Sequence, residues 1–206
     1  MKISNFRKNR SIITFNVSGV DSRLVNALRR TIVSGVPVMA IEKVTFYNNS
    51  SILNDEVLAH RLGLVPLKTD LKTYNTRAEC TCKNKGCGKC TAIMTIDVVG
   101  PKTVYSGDIK STDPNINPVY DNIPLVKLMA GQKIKLEAEA ILGYGREHIK
   151  WQPGLASYET REGVHEFMVE SYDQLTPDEL LEQALKEVEE KIKNLKEKLK
   201  TRSKKT

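Results

Sequence analysis

Six apolar residues in the last part of the chain, Leu181, Leu185, Val188, Ile192, Leu195 and Leu199, recur at alternating spacings of four and three. That rhythm is a heptad seam and predicts one long helix with a single greasy stripe. Its start is written in the same segment: Thr176 stands as N-cap, Pro177 takes the first helical position, Glu179 completes a capping box, and Leu175 can staple onto Leu180. Some 24 helical residues extend about 36 Å at 1.5 Å per residue, roughly twice the average domain helix. Burying six such side chains is worth on the order of 10 kcal/mol before ordering costs. Part of the seam must therefore find a surface beyond an ordinary core; the alternative is that it packs only on its own domain.

A second amphipathic helix lies near the start. Asp21 follows Gly19-Val20 and can cap it, Leu24, Leu28 and Ile32 recur every fourth residue with Val25 beside them, and Gly35 and Pro37 end it. Arg23, Asn26, Arg29 and Arg30 fall on its other faces, where a solvated surface is the plain reading.

The rest reads mainly as strands. Ile13, Phe15 and Val17 alternate with polar neighbours, and residues 3 to 6 can pair with them through Lys8-Asn9-Arg10. Residues 36 to 47 are rich in β-branched and aromatic side chains and predict another strand, closed by the polar loop Asn48-Asn49-Ser50-Ser51, a candidate domain boundary. Asn54 or Asp55 can cap a short helix holding Val57, Leu58 and Leu62, with Gly63 ending it, and Met94, Ile96 and Val98 predict a further strand. Residues 107 to 124 hold three prolines and read as an ordered loop, whereas residues 133 to 140 alternate strictly, with Ile134, Leu136, Ala138 and Ala140 on one face. A last strand is expected over residues 164 to 172. The class is α+β, with antiparallel sheets.

All four cysteines, Cys80, Cys82, Cys87 and Cys90, fall within eleven residues. In a reducing compartment four clustered thiolates suit a closed tetrahedral zinc site, which folds a loop and leaves no open position for catalysis. Cys87 and Cys90 have the C-x2-C spacing, with Gly88 expected to let the backbone curl; Cys80 and Cys82 are one residue apart and so require a bent segment. Lys83, Lys85 and Lys89 can offset the charge of the thiolates. An iron–sulfur cluster competes, since Cys82, Cys87 and Cys90 match C-x4-C-x2-C, but that motif wants a later fourth cysteine and none follows Cys90. Unmetallated thiols are the third possibility.

Charge and hydropathy exclude other classes. The net charge is +7, and the segment from Lys191 to Thr206 accounts for all of it, with seven lysines and Arg202 against Glu197. The body of the protein is thus neutral, and no specific nucleic-acid contact is expected from it. No apolar run approaches the roughly 20 residues of a membrane helix, and MKISNFRKNR has no apolar core of a signal peptide, so a cytoplasmic protein is expected. Arg146, Glu147 and His148 sit together in GYGREHIKWQP and could be taken for acid and base. The pattern is not G-x-G-x-x-G and implies no nucleophile, Trp151 reads as a packing anchor, and His60 and His165 read as structural.

Asn26-Ala27-Leu28-Arg29-Arg30, the run Leu58-Ala59-His60-Arg61-Leu62-Gly63-Leu64-Val65-Pro66-Leu67 and the segment Gly143 to Trp151 resemble the D subunit of archaeal RNA polymerase, whose family includes the third-largest subunit of eukaryotic polymerase II and the bacterial alpha subunit. Ile149 stands where alanine is usual in that family. The resemblance implies a discontinuous dimerisation domain, residues 1–47 and 160–206, made of an antiparallel sheet and two helices, with an inserted mainly-β domain at 48–159 carrying the zinc loop at 80–90. It implies a noncatalytic scaffold subunit that pairs with the smaller L subunit through its first and last helices. Leu24, Leu28, Ile32, Leu181, Leu185, Val188, Ile192, Leu195 and Leu199 would face that partner, and Arg29 and Arg30 would dock on a larger subunit. The small N and P subunits and the large catalytic subunits complete the implied company. Some members carry a similar four-cysteine zinc loop, and others an iron–sulfur cluster in an added ferredoxin-like domain, for which residues 156 to 167 leave no room here.

Overall fold

A computed structural model describes residues 1–203, with side chains described as far as residue 200; Lys204 and Lys205 of the lysine-rich segment lie outside the described residues. In chain order the elements are β1 (Lys2–Asn9), β2 (Ile12–Ser18), α1 (Ser22–Ser34), β3 (Pro37–Asn49), α2 (Asp55–Gly63), β4 (Ala92–Val99), β5 (Lys102–Tyr105), β6 (Lys110–Ser111), β7 (Pro124–Leu128), β8 (Lys133–Tyr144), β9 (Gly154–Arg161), β10 (Val164–Ser171) and α3 (Pro177–Ser203). They form two compact units, one built from residues 1–36 and the chain from Pro153 onward, the other from Pro37–Gln152. No helix among the described residues is long and apolar enough to cross a membrane.

The first unit is a four-stranded antiparallel sheet in the order β1-β2-β10-β9, with α1 packed against both α3 and β9. The expected alternation holds in β2: Ile13, Phe15 and Val17 are buried. One row of aromatic rings crosses all four strands, Phe6, Phe15, Phe167 and Tyr158, with Phe15 and Phe167 stacked at 5.2 Å. Such cross-strand pairs pin the register of a sheet. Asp21 caps α1 as expected, accepting from the backbone N–H of Arg23 at 2.7 Å, and hydrogen bonds from Arg23 hold its carboxyl well below the usual carboxylate range. At α3 the capping box is complete: Thr176 Oγ1 accepts from the backbone N–H of Glu179 at 3.3 Å, and Glu179 Oε2 accepts from that of Thr176 at 2.9 Å.

The second unit pairs β3-β8-β4-β6 in one antiparallel sheet and β5 with β7 in a second, with α2 against β3 and β7. Ile134, Leu136, Ala138 and Ala140 all point into its core, as their alternation predicted, together with Met94 and Ile96 of β4 and Leu58 and Leu62 of α2. Trp151 is the expected packing anchor. Its ring is buried against the glycine at 143, and its Nε1 donates to the carbonyl of Ile141 at 3.3 Å. Ile149, the departure from the family pattern, is exposed and disturbs no packing.

The division of the chain differs from the sequence boundaries at both joins. β3 pairs with β8 along its whole length, from Pro37 opposite Tyr144 to Asn49 opposite Ile134, so the strand expected to close the first domain belongs to the second unit. The polar loop expected at 48 is no boundary either: Ser50 is fastened to Lys133 by three hydrogen bonds, and the Asn49 side chain bonds Leu53, Asp55 and Ser51. At the other join residues 154 to 159 are the first part of β9, which pairs with β10 from Gly154 opposite Ser171 to Arg161 opposite Val164 and belongs to the first unit. The strands meet through Glu162-Gly163, both at positive φ, a two-residue hairpin turn.

A Cβ at position 143 would stand 2.3 Å from Trp151 Cε2, so Gly143→Ala must displace a buried ring. We expect a loss of about 1–3 kcal/mol in urea unfolding with little change in the denaturant slope.

Candidate metal centre and apolar groove

The cysteines sit in consecutive turns between α2 and β4. The backbone N–H of Cys80 reaches the carbonyl of Thr76, that of Lys83 the carbonyl of Cys80, and those of Cys90 and Thr91 the carbonyl of Cys87. The Cys80–Cys82 stretch is therefore bent, as its spacing required. These turns bring the sulfurs together at 3.5 Å for Cys80 and Cys87, 3.7 Å for Cys82 and Cys90, and 3.9 Å for Cys87 and Cys90, and all four lie within 4.8 Å of one another. Such a group can hold a metal ion. Cys80 and Cys90 are buried, and Cys82 and Cys87 half-buried.

The sulfurs do not share their hydrogens evenly. The backbone N–H of Cys82 favours a Cys80 thiolate, but hydrogen bonding among the sulfurs and burial outweigh it and push the Cys80 thiol up to about 12. The same bond from Cys80 draws Cys82 down to about 7. The Cys87 backbone N–H donates to Cys90 Sγ at 3.3 Å. Lys83, Lys85 and Lys89 are all exposed around the site. One expectation fails: Gly88 is not the residue that lets the loop curl. The left-handed positions are Lys83, Asn84 and Gly86, and a Cβ on Gly88 would meet nothing within 4 Å.

The predicted partner residues divide by burial. Leu24, Leu28, Leu181, Leu185, Val188 and Ile192 line one open groove of about 350 Å³ with side chains of β1, β2 and β10. Leu185 is 50% exposed, Ile192 44%, Leu195 59% and Leu199 60%. Ile32 is the exception: it is 0% exposed, because its turn of α1 faces inward beside the buried Thr31, and it belongs to the protein's own core. Arg30 is exposed, while Arg29 is half-buried and donates twice to Asn26 Oδ1, at 3.2 and 3.1 Å. Sequence reasoning also missed that Leu180 and Ala184, one face away from the seam, anchor α3 in its own unit.

The supposed acid–base triplet is a turn. His148 is exposed and its Nδ1 accepts the backbone N–H of Lys150, capping the short 3-10 turn that carries Trp151, and Arg146 lies 4.0 Å over the ring of Tyr144. His165 is structural as expected, buried with Nδ1 2.8 Å from Thr160 Oγ1 and its ring edge-on to Tyr158. His60 is exposed on α2.

Residues 43–157 match the family described as the RNA polymerase Rpb3/RpoA insert domain. The chain belongs to this RNA polymerase subunit family. It is 49% identical to the DNA-directed RNA polymerase subunit Rpo3 of Methanosarcina acetivorans over 143 residues, which are 69% of this chain and 54% of that protein. With Rpo3 of Thermoplasma volcanium the identity is 44% over 165 residues, 74% of this chain and 60% of the relative. With Rpo3 of Pyrococcus horikoshii it is 42% over 165 residues, 80% and 61% respectively. The chain thus spans a little over half the length of the Rpo3 proteins it matches. The Rpb3/RpoA match runs through nearly all of the second unit, the cysteine turns included.

The positions of the left-handed residues give a direct check on the loop. Gly86→Ala, at φ +78, should cost about 1–2 kcal/mol of stability in the metal-loaded protein, whereas Gly88→Ala should change it by less than about 0.5 kcal/mol.

Proposed function

We propose that this chain is a noncatalytic assembly subunit of a DNA-directed RNA polymerase, which pairs with the small L subunit through the apolar groove of α1 and α3 and presents the pair as a platform to the large catalytic subunits. The groove carries this reading. Leu185 and Ile192 stand about half exposed on a helix whose residues from Glu189 to Lys200 are all exposed, and a seam of that length left in water is unfavourable by roughly 25 cal/mol for each Å² of apolar surface. A partner with two facing helices would cover it. Membership of the Rpb3/RpoA family and the names of the relatives support the class of assembly.

On this reading nucleotidyl transfer belongs to the large subunits and the chain acts in the cytoplasm, with the small N and P subunits as further neighbours. Arg29 and the exposed Arg30 would meet a larger subunit. The four cysteines would hold one structural zinc ion. A Zn–S bond of about 2.3 Å sets the edges of a tetrahedron of sulfurs near 3.8 Å, close to the observed 3.5, 3.7 and 3.9 Å. These three edges, with all four sulfurs within 4.8 Å of one another, favour a single ion over an iron–sulfur cluster, whose cysteine sulfurs stand outside several metal atoms. Zinc there would hold the turns in shape, since a four-sulfur site has no open position.

Two measurements test the reading. Expressed alone the chain should self-associate, and co-expression with its small partner should give a soluble one-to-one complex. The double substitution Leu185→Glu with Ile192→Glu should weaken that complex by at least about 100-fold; a double variant that still co-purifies at wild-type yield would contradict the assignment of the groove. Metal analysis of the purified chain should find one zinc per chain and no iron.

A further inference from the structure

Arg77 lies in the turn that leads into Cys80, and its guanidinium bonds in two directions. Nη2 donates to Oε2 of Glu139 on β8 at 2.8 Å and to Oγ1 of Thr91 at 3.4 Å. The Thr91 hydroxyl is itself 3.7 Å from Cys90 Sγ, and both of these residues are buried. A Cβ on Gly86 would stand 3.5 Å from Thr91 Oγ1 and 3.6 Å from Arg77 Nη2, so the segment between Cys82 and Cys87 closes over this pair. Among the described residues the Arg77 Nε is a buried donor with no hydrogen-bond partner.

The charges explain why a cation is kept here. Four thiolates around a divalent ion carry a net charge of −2. Lys83, Lys85 and Lys89 stand in water, where their attraction is screened, while Arg77 is partly enclosed and acts through a lower dielectric. A thiolate has no hydrogen to give. The Thr91 hydroxyl must then donate to Cys90 Sγ, and its lone pair accepts from Arg77, which gives a polarised chain from guanidinium to hydroxyl to sulfur. Glu139 draws on the same nitrogen. Partial burial pushes the Glu139 carboxyl up, but hydrogen bonds from Arg77 and Lys43 outweigh it, so Glu139 remains ionised and offsets part of the arginine's charge.

We propose that Arg77, acting through Thr91, is the positioning residue that stabilises Cys90 as a metal-bound thiolate, with Glu139 fixing the guanidinium to the sheet while competing for its charge. The proposal rests on the reading of the four cysteines as a single-ion site. It assigns opposite roles to the two members of one ion pair. An ordinary fastening of the cysteine turns to β8 would instead make Arg77 and Glu139 equally necessary.

The test is a competition titration of the reduced, metal-stripped full chain with zinc ions against a chromophoric zinc chelator. Arg77→Gln should weaken zinc binding by about tenfold or more, the loss usual for a partner that orients a metal ligand. Thr91→Val, which keeps the shape and removes the hydroxyl, should weaken it in the same direction, and the double variant should be no weaker than Arg77→Gln alone within about twofold. Glu139→Gln should bind zinc as tightly as the wild type or more tightly. Wild-type affinity in Arg77→Gln, independent losses in the double variant, or a loss in Glu139→Gln equal to that in Arg77→Gln would each overturn the proposal. If Arg77→Gln fails to fold, Thr91→Val decides alone, since unchanged affinity there breaks the chain of contacts. A wild-type chain that takes up no zinc would sink the single-ion reading itself, whereas tight wild-type binding with unchanged variants would sink the role of Arg77 only.

Discussion

The apolar seam of α3 is the constraint from which the rest of the first unit follows. The helix is 27 residues long, about 40 Å at 1.5 Å per residue; Leu180 and Ala184 anchor it in its own unit, and no described residue of it beyond Ala184 is fully buried. Beyond Glu189 every described side chain of the helix is exposed. α1 lies against α3 and contributes Leu24 and Leu28 to the same groove, while the exposed Ile3 and Phe6 of β1 extend it toward the sheet edge. This contiguous apolar surface is what the proposed pairing with a partner subunit would cover.

The second unit solves a different problem. Its sheet has a core of ordinary kind, to which Val65, Leu67 and Tyr74 also contribute, but residues 75 to 91 have few apolar side chains to bury, and hydrogen-bonded turns around the four cysteines organise that stretch instead. Those turns end at Cys90-Thr91, where β4 begins, and β4 pairs with β8 at Glu139. The residues that gather the cysteines are therefore continuous with the ladder that builds the sheet. Arg77 spans the same short distance from the other side of the loop.

Much of this was legible in the sequence wherever one local signal acted alone. The capping box at Thr176 and the strict alternation from Ile134 to Ala140 each predicted an element that the structure contains, and the cysteine spacing required the bend that it shows. Pairing partners were less legible. β9 went unread because Ser157, Glu159 and Arg161 face water, and only its ladder to β10 makes it a strand. β5 and β7 are short and take their burial from each other's register, with Val104 opposite Val126. Boundaries are hard to read for the same reason, since a polar loop such as Asn48 to Ser51 looks like a linker until the hydrogen bonds of Ser50 to β8 are seen. Gly88 looks in the sequence like the residue that lets the loop curl because glycine permits a left-handed backbone, yet Lys83 and Asn84 adopt that conformation without glycine's freedom. Arg77 and Thr91 carried no sequence signal, because their relation to Cys90 is one of space.

Hydrogen exchange along α3 tests the central claim most directly. In the isolated chain the backbone amides of residues 190 to 200 should exchange quickly, and in the complex with the small partner subunit they should be protected by at least about 100-fold, while those around Leu180 and Ala184 are protected in both. A monomeric chain in which residues 190 to 200 are already as protected as in the complex would contradict the account.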